Sequence, residues 1–161
     1  MLIKAAIIAD ANELERIYTL SFESNASYFP ADMEDDEGDA EDEFSCESEI
    51  SMPGKCVLGF WVANHLIGGA VISRAVHEAN LLEKLFILPE EQGKGYGHRA
   101  WLEIEKMQPC KEGWKLRTPT SLINNVGFYV NKCGFSIISV EDLGNDGVGM
   151  FVFYKPTSSN L

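Results

Sequence analysis

Gly93, Gly95 and Gly97 alternate along the chain, with Gln92 just before them and Lys94 among them. That spacing suits one chemistry, the holding of a phosphate anion. Glycine accepts positive φ and has no side chain, so alternating glycines let a loop turn its N–H groups inward. A helix starting on that loop adds unpaired N–H groups of its own and the positive end of its dipole. Lys94 places a charge at the rim. Two common phosphate loops do not fit. A Mg-nucleotide loop needs Lys-Ser or Lys-Thr after the glycines, and neither follows here. A dinucleotide loop needs a third glycine where this chain has His98, and no acidic ribose partner is evident. The residues do spell Gln-x-x-Gly-x-Gly, with Gln92, Gly95 and Gly97, directly after an apolar run closed by Pro89.

Such a loop needs a strand to lead in and a helix to lead out. Residues 81–88 form a strong β run that Pro89 stops. Residues 98–107 follow with helical spacing and put Trp101 and Ile104 on one face. Upstream, residues 2–9 are apolar and β-compatible. Asp10 and Glu13 then read as a capping box, opening a helix that carries Leu14, Ile17, Tyr18 and Phe22 to about Ser24. Residues 56–63 and 66–74 predict two strands joined by a turn at Asn64-His65. Gly68-Gly69 in the second marks a bulge or a close backbone approach. Residues 114–118 predict a short strand, and Thr120 a cap for a helix to about Lys132, closed by Gly134. Residues 135–140 and 148–154 predict a final hairpin around Gly144-Asn145-Asp146-Gly147. Strands in series followed by β-α-β units imply an α/β mixed sheet with helices on both faces.

Composition sets the frame. A chain of 161 residues, 45% hydrophobic, is enough for one domain over 1–161 with a sizeable core. No run is long and apolar enough to span a bilayer, and the first residues lack a secretory pattern. Cys46, Cys56, Cys110 and Cys133 are scattered, with no metal-ligand spacing to the three histidines. This predicts a reduced, cytoplasmic protein without structural metal. The net charge of -12 is concentrated: eleven acidic residues and no basic one lie within 32–49, and the rest of the chain is nearly balanced. That acidity disfavours nucleic acid and anionic lipid as partners and attracts cations. The segment 25–50 reads as a short acidic helix with flexible flanks or as mobile throughout.

The run from Leu85 to Gly97, LFILPEEQGKGYG, resembles the acetyl-CoA motif of the GNAT superfamily of N-acetyltransferases. The later run from Asn125 to Phe135, NVGFYVNKCGF, resembles that family's "N…FY…GF" motif on its fourth helix and following strand. The resemblance covers roughly residues 56–155. It implies a GNAT-like fold with a mostly antiparallel sheet of six or seven strands and a splayed pair. It also implies acetyl-CoA as co-substrate and a primary amine as acceptor, attacked directly in a ternary complex. Main-chain groups of Leu85, Phe86, Ile87 and Leu88 would then hold the pantetheine. Gln92, Gly93, Lys94, Gly95, Tyr96, Gly97 and His98 would hold the pyrophosphate. Asn125 and Phe128 would meet the pantetheine arm, and Lys132 the 3′-phosphate end. A homodimer is plausible on the same ground.

Two residues carry the expected proton transfers. Tyr129 is the candidate general acid for the departing thiolate, since a phenol is a fair match to a thiol. The family has three residues between this tyrosine and the glycine; this chain has four, Val130 to Cys133, enough to rotate the helix end. Glu83 is the candidate base, and partial burial would raise its pKa. His65 and His77 read as turn residues, and Cys133 as a packed thiol. The acidic run bears on the acceptor: it could steer a cationic amine such as a polyamine, an aminoglycoside or a lysine-rich peptide, or be a solvated loop. Phe22, Tyr28 and Phe29 flank it. Two non-enzymatic readings compete: a CoA-binding module with an acidic docking surface, favoured by the altered Tyr129 spacing, and a nucleotide-binding regulatory domain.

Overall fold

Alternating apolar residues and β-branched runs build seven strands, and they join in one sheet of order β1-β2-β3-β4-β5-β7-β6. The computed structural model describes residues 1–29 and 44–158. The strands are β1 (Leu2–Ala5), β2 (Lys55–Val62), β3 (His65–Ser73), β4 (Asn80–Ile87), β5 (Trp114–Pro119), β6 (Ser136–Glu141) and β7 (Met150–Lys155). The helices are α1 (Ala11–Glu23), α2 (Cys46–Ser51), α3 (Tyr96–Met107) and α4 (Ile123–Asn131). Every neighbouring pair is antiparallel except β4 and β5, which are parallel. Both faces of the sheet are covered. Trp101, Ile104, Trp114, Tyr129 and Phe153 form one core beneath α3 and α4. Leu14, Ile17, Cys46, Val71 and Phe86 form the other beneath α1 and α2. Among the described residues no helix is long and apolar enough to cross a membrane.

Several local expectations resolve differently. No capping box joins Asp10 to Glu13. Instead a 3-10 turn, Ile8–Asp10, precedes α1; Asp10 accepts the Ile7 N–H at 2.9 Å, and Glu13 pairs with Arg16 at 2.6 Å. The β2–β3 turn falls one residue early, on Ala63 and Asn64, both at positive φ as a tight hairpin requires. Thr120 does not cap α4; its hydroxyl accepts the Gly149 N–H at 3.0 Å and ties the helix approach to the β7 side. The Gly68-Gly69 signal proves to be a close approach. A Cβ on Gly69 would lie 2.9 Å from both Leu14 and Phe86, so glycine lets α1 settle onto the sheet.

One irregularity in β4 governs the site. Val71 pairs with Lys84 and Ile72 with Leu82, which leaves Glu83 as an extra residue, a β-bulge. Alternation therefore changes phase. Leu82, Leu85 and Ile87 face α3 and α4, whereas Lys84, Phe86 and Leu88 face α1.

Candidate active site

β4 and β5 begin as partners and then part. Only Asn80–Trp114 and Leu81–Lys115 are paired, although β4 runs on to Ile87 and β5 to Pro119. Beyond Leu81 the β5 side of β4 lacks its ladder, so main-chain groups there face a gap. Which groups they are follows from alternation. The Leu88 N–H donates to Ile67 across β3 at 2.8 Å, so Phe86 also turns to β3, and Leu85 and Ile87 turn to the gap. The Ile87 carbonyl there accepts from the Gln92 side chain at 2.9 Å, which fastens the glycine loop to the strand. This narrows the expected set. Leu88 uses both main-chain groups internally, its C=O accepting from Glu91 at 2.8 Å, and Phe86 lines the cavity with its main chain turned to β3.

The loop then turns on two residues. Gly93 and Gly95 lie at φ 76° and 85°, and a Cβ on either would meet nothing within 4 Å. That combination describes a left-handed backbone whose open side is empty space, not packed protein. Gly95 is the N-cap of α3, so the N–H groups of Tyr96, Gly97 and His98 open the helix toward that space. Gly97 has ordinary helical φ. Its bare Cα instead admits Phe128, which a Cβ would meet at 3.4 Å. Lys94 is not part of the cavity lining and pairs with Glu91, which is, at 2.9 Å.

A cavity of about 230 Å³ joins the gap, the loop and α4. Leu85, Phe86 and Ile87 supply its floor; Gln92, Gly93, Gly95, Tyr96, Gly97 and His98 one wall; Asn125, Phe128, Tyr129 and Lys132 the other. Of the sequence-predicted residues, Leu88, Lys94 and Glu83 do not line it. Ser21, Asn25, Glu91 and Asn124 line it and were missed. Asn124 donates to Asn25 at 3.4 Å, and Asn25 to the Ser21 carbonyl at 3.4 Å, so a chain of amides links the start of α4 to the end of α1. Ser21 had a readable signal: it is a polar residue on the buried stripe of α1 with Leu14 and Ile17.

The extra residue after Tyr129 is taken up downstream of it. The Cys133 N–H reaches the Phe128 carbonyl at 3.2 Å, the Phe135 N–H reaches Tyr129 at 3.0 Å, and Gly134 turns at φ 81°. Tyr129 itself stays within α4, packed against Phe128, Phe135 and Phe153. Burial pushes its hydroxyl well above the usual phenol range, with Cys133 adding to the shift. Burial also pushes the Cys133 thiol up to about 12, which keeps it a packed thiol without thiolate character.

Glu83 departs from expectation in direction. Desolvation alone would raise its pKa, but hydrogen bonds from Lys55 and Ser73 outweigh it and hold the carboxyl below the usual range. Lys55 bonds both carboxylate oxygens at 2.7 and 2.6 Å and reaches Glu49 at 3.0 Å; Ser73 donates to Glu83 as well. Because the folded pKa is depressed, this stabilisation is present above the ordinary glutamate value and is lost as pH falls through the folded one. Glu83→Gln should therefore cost about 1–3 kcal/mol at neutral pH and less near pH 3, read from denaturant melts. A variant as sensitive to acid as the wild type would contradict this. Asp32 to Glu43, most of the acidic run, lie outside the described residues; Glu47 and Glu49 sit on α2.

Known proteins share this architecture. The ribosomal-protein-S18-alanine N-acetyltransferase of Escherichia coli superposes with a TM-score of 0.68 at 15% identity, over 99% of this chain and 97% of that one. The PaiA N-acetyltransferase of Thermoplasma acidophilum, solved with coenzyme A, gives 0.68 at 18% identity over 94% and 96%. At these identities the likeness is one of fold. The uncharacterized protein YrkN of Bacillus subtilis (strain 168) is 34% identical over 109 residues, 63% of this chain and 58% of its own length. The chain thus spans under two thirds of that curated relative. Residues 57–137, half of the chain, match the acetyltransferase (GNAT) domain. That stretch runs from β2 through the splayed strands, the glycine loop and α4 into β6, and the chain belongs to the GNAT acetyltransferase family.

Proposed function

We propose that the protein transfers the acetyl group of acetyl-CoA to a primary amine by direct attack within a ternary complex. The observation that carries this reading is the gap between β4 and β5, which opens into the same cavity as the glycine loop. Acetyl-CoA brings an acyl group already activated as a thioester; the chain's residues bind, orient and move protons.

The N–H groups of Gly93 to His98 hold the pyrophosphate, where two positive-φ glycines leave room for it. Asn125 and Phe128 meet the pantetheine arm, and Lys132, exposed at the cavity edge, takes the 3′-phosphate end. Leu85 and Ile87 turn their main chain into the gap, where an N–H can polarise the thioester carbonyl. The amine enters from the α1 side, past Ser21 and Asn25. As its nitrogen bonds to the carbonyl carbon, the carbon–sulfur bond breaks. Tyr129 gives its proton to the departing sulfur and recovers one from solvent, while the amine's proton passes to water in the cavity. In this proposal Glu83 stays with Lys55 and Ser73 and fixes the bulge. If Glu83→Gln lost more than about 100-fold in kcat with its melting unchanged, a base role would be restored to it. A reduced cytoplasmic setting suits four free thiols and this co-substrate.

Binding of acetyl-CoA should be measured by calorimetry with ATP and NAD as controls, followed by thiol release with a panel of amines. Saturable binding of acetyl-CoA alone, and amine-dependent thiol release, are expected. Comparable affinity for ATP or NAD would sink the acetyl-CoA assignment. Binding without turnover across the panel would favour the CoA-binding module instead.

A further inference from the structure

Lys84 lies on the α1 face of β4, outside the cavity lining and two residues before Phe86, which lines it. On α1, Ser21 lines the cavity and Tyr18 stands one turn behind it. Strand and helix therefore lead together from the cavity to a small cluster of rings. Tyr18 lies 4.8 Å from Phe44 and 5.4 Å from Phe86 between centroids, and Phe44 lies 6.2 Å from Phe86. The Lys84 ammonium sits over two of them, 5.4 Å from the Tyr18 centroid and 5.2 Å from that of Phe44.

This cation is half-buried. Among the described residues no carboxylate comes within ion-pair distance of it. Its neighbour Glu83 feels the Lys84 charge but accepts its hydrogen bonds from Lys55 and Ser73. Ring faces attract an ammonium but offset its lost hydration only in part, and a carboxylate does so better. The bulge contributes here too, because its change of phase is what turns Lys84 to the α1 side, from which the amine enters.

Resting on the acetyltransferase reading above, we infer that Lys84 binds a carboxylate on the acceptor, so that the substrate class is an amine bearing a carboxylate. The distances suit a short molecule. Lys84 stands one to three residues from the Leu85–Ile87 gap, roughly 3–10 Å along a strand. An amino acid with its amine at the gap and its carboxylate at Lys84 spans that interval.

The test uses amines in matched carboxylate and amide forms: glycine and glycinamide, 4-aminobutyrate and its amide, 6-aminohexanoate and its amide. Thiol release from acetyl-CoA is followed with wild-type protein, Lys84→Met and Lys84→Arg; methionine keeps an unbranched stem against the rings without the charge. Wild type should favour at least one carboxylate form by tenfold or more in kcat/KM. Lys84→Met should remove that preference through KM, with kcat and the acetyl-CoA Kd moving less than threefold, and Lys84→Arg should restore most of it. The inference is overturned if amides or polyamines serve as well as the carboxylates, if Lys84→Met keeps the preference, or if no carboxylate-bearing amine is acetylated by protein that binds acetyl-CoA. Failure to bind acetyl-CoA at all is a separate result, and it would remove the acetyltransferase reading together with this one.

Discussion

Gly95→Trp is expected to weaken acetyl-CoA binding at least 100-fold while the protein stays folded. Two features of the residue separate these effects. Its φ of 85° belongs to the left-handed region, where a residue with a Cβ costs about 1–2 kcal/mol, a drop in Tm of roughly 2–8 °C. Its Cβ position faces nothing within 4 Å, so the new side chain starts into open space beside the N–H groups of α3. A 100-fold loss corresponds to about 2.7 kcal/mol, within what one blocked anion cradle can withhold. Calorimetry with acetyl-CoA and a thermal melt of the same sample give the two readings. Wild-type affinity in a folded variant would mean that the loop holds no phosphate.

Tyr129→Phe should lower kcat by roughly 10²–10⁴-fold and leave acetyl-CoA affinity within a few-fold. The ring keeps its place in the core beside Phe135 and Phe153, so only the hydroxyl is lost. The pH behaviour is informative as well. With its pKa raised by burial, the phenol keeps its proton past the ordinary value of about 10, so Tyr129 imposes no falling limb on kcat below that pH. The same shift makes its contribution to stability full below about pH 10 and lost above, where the unfolded chain ionises first. A kcat within fivefold of wild type would take proton donation away from Tyr129.

What was legible in the sequence was mostly backbone. Glycine positions are read directly as conformation, so the loop at Gly93 and Gly95 and the strand before it were placed correctly, with α3 starting two residues sooner than its apolar spacing suggested. The run of β2, β3 and β4 and the closing hairpin followed from apolar runs and turn residues. What escaped were contacts between distant residues. Lys55 lies 28 positions from Glu83, and it reverses the pKa shift that burial alone would give. Thr120 found Gly149 across 29 positions instead of the helix in front of it. Asn25 and Asn124 come together from opposite faces of the sheet, and no local pattern announces an amide pair. The bulge did leave a trace: Glu83-Lys84 is a charged doublet between the apolar runs Leu81-Leu82 and Leu85 to Leu88, which no single alternating phase can accommodate.

That extra residue makes the ligand-facing backbone a matter of parity. Which amides look into the gap depends on counting from the paired end of β4, and Glu83 changes odd to even. Excising it would leave the composition of the strand almost intact. It would close the ladder regularly, with Leu82, Lys84 and Leu85 still opposite Ile72, Val71 and Ala70, so Lys84 and Phe86 would stay on the α1 side and the main chain of Leu85 and Ile87 would stay turned to the gap. What would exchange the roles of the two faces is Glu83 slipping into the ladder opposite Val71, which would shift every later residue by one, and the bonds from Lys55 and Ser73 are the pin that opposes that slip.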